Sequence, residues 1–213
     1  MSAEIEKLPG LAFLAFPQME DLLREELKGR FSVDTPKKPS EDEPFPTFRP
    51  NQMQWYGPIL YCPKFPLEDD FTPTFIPKLP YWSQTTFRKP FLMTFQSAGD
   101  AANHLMGIQR NWASSQYQLW RRAELIEKKL PFIPTKPRKF PAEFPTTPMG
   151  IFSLLDSNHI LASALTSSDL AFGKLAYVED HSNPPSRAYL KLQESLAHAH
   201  RIDGAHGPDS PAV

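Results

Sequence analysis

Pro184-Pro185-Ser186-Arg187-Ala188-Tyr189-Leu190-Lys191-Leu192-Gln193-Glu194 is the stretch whose residue types and spacing best suit chemistry. The prolines end the segment before it, Ser186 can cap free helix amides, and an amphipathic run follows. Ala188, Leu192, Ser195, Leu196 and Ala199 recur at helical spacing and make one small, packable face. Lys191 lies beside that stripe within the first two turns, near the positive end of the helix dipole, where a cation is disfavoured. Its placement points to a task other than helix stability. A lysine set beside carboxylates can hold a hydroxyl and shift the pKa values of its neighbours. Arg187 and Ser186 can contact phosphate at the same helix start; the plainer alternative is capping by Ser186 with Arg187 in solvent.

A second cluster lies upstream. Residues 110–139 carry eight Lys/Arg against Glu124 and Glu127, a local balance of +6, with Trp112, Tyr117 and Trp120 interleaved. Cations neutralise phosphates and aromatic rings stack on unpaired bases, so this run is the RNA-binding candidate. Arg121, Arg122, Lys128 and Lys129 are the residues assigned to that contact, while Trp120 is assigned to the core. The alternative is a solvated helix face.

Ser186-Arg187-Ala188-Tyr189-Leu190-Lys191-Leu192-Gln193-Glu194 resembles the SRA-x-x-KL-x-E entry segment of the FtsJ-like RNA 2′-O-methyltransferases. The preceding Pro-Pro and the long region before it are most similar to the M-type, large-subunit ribosomal RNA branch of that family. The tight match covers about a dozen residues. The resemblance implies S-adenosylmethionine as cofactor, RNA as partner, and Lys191 as first member of a Lys-Asp-Lys-Glu catalytic set. By the same resemblance the glycine-rich loop that holds the cofactor, and the other three members of the set, are expected beyond Val213. The chain alone is then expected to be inactive, with no cofactor-binding residue of its own.

Composition narrows the classes. Among 213 residues, 40% are hydrophobic and 12% aromatic, which is enough to build a core. Twenty-four prolines against nine glycines predict long irregular connections, clustered at 36–90 and 131–148. The net charge of −1 gives no global attraction to nucleic acid, and residues 1–45 carry a local balance of −4, so any RNA contact must be local. The single Cys62 excludes an internal disulfide and suits a reducing compartment. No apolar run approaches the roughly 18 residues needed to span a bilayer. A soluble, cytoplasmic protein without membrane contact is expected. His198 and His200 stand two apart on a helix and face different ways, and no metal site is expected.

Taken in order, Leu11–Phe16 has strand length, and Pro17 opens a helix with Met19, Leu22, Leu23 and Leu27 on one face and Gly29 as its stop. With a strand at Phe31–Val33 this is the opening of a ferredoxin-like unit. Gln52–Tyr61 reads as a strand pair around Gly57-Pro58, and Phe91–Phe95 as an interior strand. Ser97–Asp100 caps a helix, and a longer helix is predicted over Ser115–Lys129, burying Leu119, Trp120, Ala123 and Ile126 or Leu130. Met149–Leu155 and His159–Leu165 flank Asp156-Ser157-Asn158 as a hairpin, and Phe172–Val178 gives one more strand.

The expected class is α+β: a ferredoxin-like domain over 1–82, a THUMP-like RNA-binding domain over 83–180, and over 184–213 the lead-in to a Rossmann-like methyltransferase domain. The THUMP likeness is one of element order. The implied activity is methyl transfer to a ribose 2′-hydroxyl of RNA, ribosomal by resemblance. Two rivals are a non-catalytic RNA-binding module and, from the Pro-x-x-Pro spacings, a protein-interaction scaffold.

Overall fold

A computed structural model describes residues 4–40, 46–65, 79–134, 136–141, 145, 147–180, 182 and 188–205, the last nine as backbone. Its contacts group the chain into two units, residues 1–133 with 147–173, and residues 134–146 with 174–213. It is a mixed α+β protein, and none of the described helices is long and apolar enough to cross a membrane.

The first unit opens with β1 (Glu4–Lys7), β2 (Leu11–Ala15), α1 (Glu20–Phe31), β3 (Gln54–Tyr56), β4 (Ile59–Cys62), β5 (Ser83–Phe87) and β6 (Pro90–Thr94). It continues through α2 (Ala98–Ile108), β7 (Trp112–Ser114), α3 (Trp120–Glu127), β8 (Gly150–Leu154) and β9 (His159–Ser163). The strands make two sheets, β3-β4-β2-β5 and β1-β6-β9-β8-β7. All pairs are antiparallel except β7 with β8.

Side-chain alternation explains the layering. On β2, Leu11, Phe13 and Ala15 pack with Leu23 and Leu27 of α1, while Ala12 and Leu14 enter the space between the sheets. Both faces of the strand are covered, so all five residues are buried and the run is apolar throughout instead of alternating. Between the sheets lie Tyr56, Ile59, Tyr61 and Phe87 from one side and Ile151, Leu155 and Leu161 from the other. The far face of the larger sheet packs Phe91, Met93, Phe152, Leu154 and Ile160 against Ala101, Ala102 and Leu105 of α2 and Ala123 and Ile126 of α3. The unit is therefore four layers: α1, the smaller sheet, the larger sheet, and α2 with α3. Each buried Leu, Ile or Phe contributes about 1.5–3 kcal/mol.

Several expectations change. Both sheets draw strands from either side of position 82, since β1 pairs with β6 and β2 with β5, so the expected 82/83 boundary runs through both of them. α1 passes through Gly29 and ends at Ser32, which takes the left-handed conformation, φ 56°. Val33 is not in a strand; its N–H donates to the Leu27 carbonyl at 3.0 Å and closes the helix end. Residues 172–178 form no strand. Phe172 and Gly173 belong to a 3₁₀ turn, and Tyr177 makes one isolated bridge with Arg138. The strand pair β3–β4 and the hairpin β8–β9 form where expected, and Ser97 accepts the Asp100 amide at 3.1 Å as the cap of α2.

In the second unit the bridge is held by Arg138 N–H donating to the Ala176 carbonyl and Val178 N–H to the Arg138 carbonyl, both 2.9 Å. The Phe140 ring meets Tyr177 edge-on at 5.4 Å. The last described element of this unit is α4 (Ala188–Ala205).

Candidate nucleic-acid interface

α3 carries the basic residues, and its start differs from the one the sequence suggests. Periodicity predicts a helix from Ser115, yet α3 begins at Trp120. The residues before it are claimed by β8. Ser115 N–H donates to the Phe152 carbonyl at 2.9 Å, prolonging the parallel ladder of β7. Gln116 Oε1 accepts the Leu154 amide at 3.0 Å, and Gln118 Nε2 donates to the carbonyls of Leu154 and Leu155. Leu119 then turns the chain with φ 55° and ψ 35°, a left-handed conformation that cannot propagate a right-handed helix.

This late start moves Trp120. As the first residue of a short helix it is 64% exposed, so its assignment to the core is corrected. Leu119 is exposed as well, while Ala123, Ile126 and Leu130 are buried as expected. The tryptophan of the preceding strand, Trp112, takes the core position: it is 3% exposed and its indole N–H donates to the Leu105 carbonyl at 2.9 Å.

Arg121 and Arg122 lie in α3, Lys128 caps its end and Lys129 follows it; carried past the end at 3.6 residues per turn, the four cations project within about one third of the circumference. The exposed Leu125 lies in the middle of that arc. Glu127 falls well outside it, and Glu124 lies at its edge. Arg121, Lys128 and Lys129 are exposed. Arg122 is half-buried, its guanidinium 5.2 Å over the Phe95 ring, which pins one flank of the arc to the larger sheet. Lys128 Nζ donates to Glu124 at 2.7 Å.

Lys191 belongs to the other unit. It is the fourth residue of α4, its side chain is 85% exposed, and its Nζ donates to Glu194 at 2.7 Å, one turn along. Nearby in the same unit is an open groove of about 350 Å³ lined by Lys139, Phe140, Val178, Asp180, Tyr189 and Gln193. The Tyr189 hydroxyl accepts the Asp180 amide and so ties α4 to one wall of the groove. Arg187 and Ser186 lie outside the described residues.

The space beside the backbone of Gly10, Gly57 and Gly150 is filled by Cys62 and Pro63, by Tyr117, and by Gln109 and Trp112 respectively, so these three glycines offer S-adenosylmethionine no cradle. Comparison with known proteins gives no match: no family model, no curated protein and no solved structure corresponds to this chain.

Proposed function

We propose that this chain is the RNA-binding part of an S-adenosylmethionine-dependent enzyme that methylates a ribose 2′-hydroxyl in RNA, ribosomal by resemblance. The observation that carries the RNA half is the run of cations Arg121, Arg122, Lys128 and Lys129 along α3 and just past its end, with Glu124 at its rim paired to Lys128. Such a basic stripe suits a phosphate backbone even on a protein of net charge −1. The methyl-transfer half rests on the resemblance of Ser186–Glu194 to the family's entry segment, and the position of Lys191 in the first turn of α4 agrees with it. In this reading the four-layer unit does the work expected of the ferredoxin-like and THUMP-like parts. α4 is the entry helix of a Rossmann-like domain, and Lys191 holds the ribose hydroxyl as its proton leaves. The methyl donor would be held by residues other than those described.

The test has two arms. RNA affinity of this chain, measured by fluorescence anisotropy across a salt series, should fall steeply as salt rises, with a log–log slope near −0.7 for each phosphate neutralised on a single strand. In an enzyme assembled with its cofactor-binding core, Lys191→Ala should abolish methyl transfer and leave RNA affinity within about twofold, because Lys191 is in the unit that lacks the arc. Turnover that survives the substitution would remove Lys191 from catalysis. The non-catalytic module would then be the better reading, and the exposed Lys191–Glu194 pair, an ordinary solvated helix contact, already favours it.

A further inference from the structure

We propose that the groove of the second unit holds one unpaired nucleotide, its base against Phe140 and Val178 and its phosphate on Lys139. For the source of that nucleotide this rests on the RNA-binding reading above. The residues concerned line a single groove of about 350 Å³, all within residues 134–146 and 174–213. Small-molecule sites span roughly 300–1,000 Å³, so this one is at the small end and suits one nucleoside.

The chain brings these residues together by a simple device. Arg138 and Tyr177 form an isolated parallel bridge, so the residues that follow each of them, Lys139–Phe140 and Val178–Asp180, run on side by side. Tyr189 and Gln193 stand one turn apart on α4 and share the face toward the groove. Lys191, two residues from each, is on another face. The walls are fixed without a ligand. The Tyr189 hydroxyl accepts the Asp180 amide, Asp180 Oδ1 accepts the Ser182 amide at 2.7 Å, and the buried Tyr177 meets the Phe140 ring edge-on at 5.4 Å. A ring already held in place loses little freedom when a base stacks on it.

What the groove leaves uncovered points to the ligand. Phe140 and Val178 are 39% and 51% exposed, an apolar pair among polar neighbours. Gln193 Oε1 is buried with no hydrogen-bond donor among the described residues. Such an acceptor is unfavourable, and a small turn of the amide presents both a donor and an acceptor to a base edge. Lys139 is exposed and supplies a cation for phosphate. Glu179 and Asp180 oppose a phosphate along their own segment, which orients the nucleotide toward Lys139. A duplex keeps its base faces stacked inside and cannot offer one here; a strand or a free nucleotide can.

The experiment uses the full chain with a fluorescein-labelled RNA strand containing all four bases, the same strand annealed to its complement, and the four ribonucleoside monophosphates. In ¹H–¹⁵N spectra the monophosphates should shift the amides of residues 139–140 and 178–180 and the side-chain amide of Gln193. By anisotropy, Phe140→Ala should weaken strand binding about 5- to 150-fold, the range for one lost base stack, with little change for the duplex. Phe140→Tyr should bind like the parent. Gln193→Glu exchanges a donor for an acceptor and should reorder the preference among the four monophosphates, which a purely structural role would not do. Lys139→Ala should lower the salt slope of strand binding by about 0.7.

If the monophosphates leave those amides unshifted in the parent protein while strand binding stays salt-dependent, the groove inference fails and the RNA reading stands. If they shift the amides but neither RNA binds, the groove takes a free nucleotide and the RNA reading fails. If free arginine shifts the same amides at lower concentration than any monophosphate, the groove is a cation site and the inference is overturned.

Discussion

Gly57 and Tyr117 lie so close that a Cβ on the glycine would sit 2.3 Å from the tyrosine Cγ. The glycine is the turn between β3 and β4 and holds φ at 56°, a conformation open to it for want of a side chain. The ring it makes room for belongs to the segment that delays the start of α3. The turn of one sheet thereby steadies the approach to the basic helix of the other layer. Gly57→Ala should cost about 2–3 kcal/mol through backbone strain and overlap with the ring, read as a lower urea midpoint. It should also weaken RNA binding by loosening residues 115–119. Unchanged stability would mean that Tyr117 moves aside at no cost, and that the contact does not anchor the segment.

Glu124 holds one of the four arc cations. Replacing it with glutamine removes a negative charge from the rim of the arc and releases Lys128 from its 2.7 Å contact. Glu124→Gln should raise RNA affinity a few-fold and steepen the salt slope by up to about 0.7, the contribution of one further phosphate contact. Lys129→Ala should cost more affinity than Lys128→Ala in the parent protein and a similar amount in the Glu124→Gln background. A slope that does not change in Glu124→Gln would place Lys128 off the RNA path.

Cys62 is fully buried in the core between α1 and the smaller sheet, and burial pushes its thiol up from 9.0 to about 12. The folded state therefore favours the neutral thiol. Stability from this group is complete below the ordinary thiol pKa and is lost as pH rises toward about 12. Burial likewise raises the Tyr56 phenol to about 12, so the two act in the same direction. The protein should resist iodoacetamide at neutral pH, react stoichiometrically in denaturant, and lose thermal stability between pH 9 and 12. Fast alkylation of the native protein would show that the layer opens locally.

Asp156 closes the β8–β9 hairpin by accepting the amides of Asn158 and His159 at 2.8 and 2.9 Å. Burial alone would raise its pKa, but these hydrogen bonds and the His159 ring beside it together hold the carboxyl below the usual aspartate range. A depressed carboxyl stabilises the fold above its unfolded pKa, and that stability disappears as pH falls through the folded value. Asp156→Ala should cost about 1 kcal/mol at neutral pH, with the deficit shrinking toward low pH where the parent loses the same contacts. A deficit that is independent of pH would assign the effect to turn geometry instead of charge.

Much of this fold is local enough to be read from residue order. The covered strand Leu11–Ala15, the apolar face of α1, the Ser97 cap, the turn at Gly57-Pro58 and the hairpin around Asp156–Asn158 each follow from chemistry within a few residues. The helical setting of Arg121 and Arg122 was legible for the same reason, whereas Lys128 and Lys129 fall at and past the helix end. Pairing partners were not. β1 is a charged, exposed tetrapeptide and β5 a polar Ser-Gln-Thr-Thr-Phe run; each is a strand because a distant neighbour supplies its ladder. The point at which α3 begins was decided the same way. Residues 115–118 have helical periodicity, but β8 offers carbonyls and amides that Ser115, Gln116 and Gln118 take instead. Tertiary hydrogen bonding thus overrode local propensity, and in shifting the helix start it carried Trp120 from the core, where periodicity placed it, out to the surface.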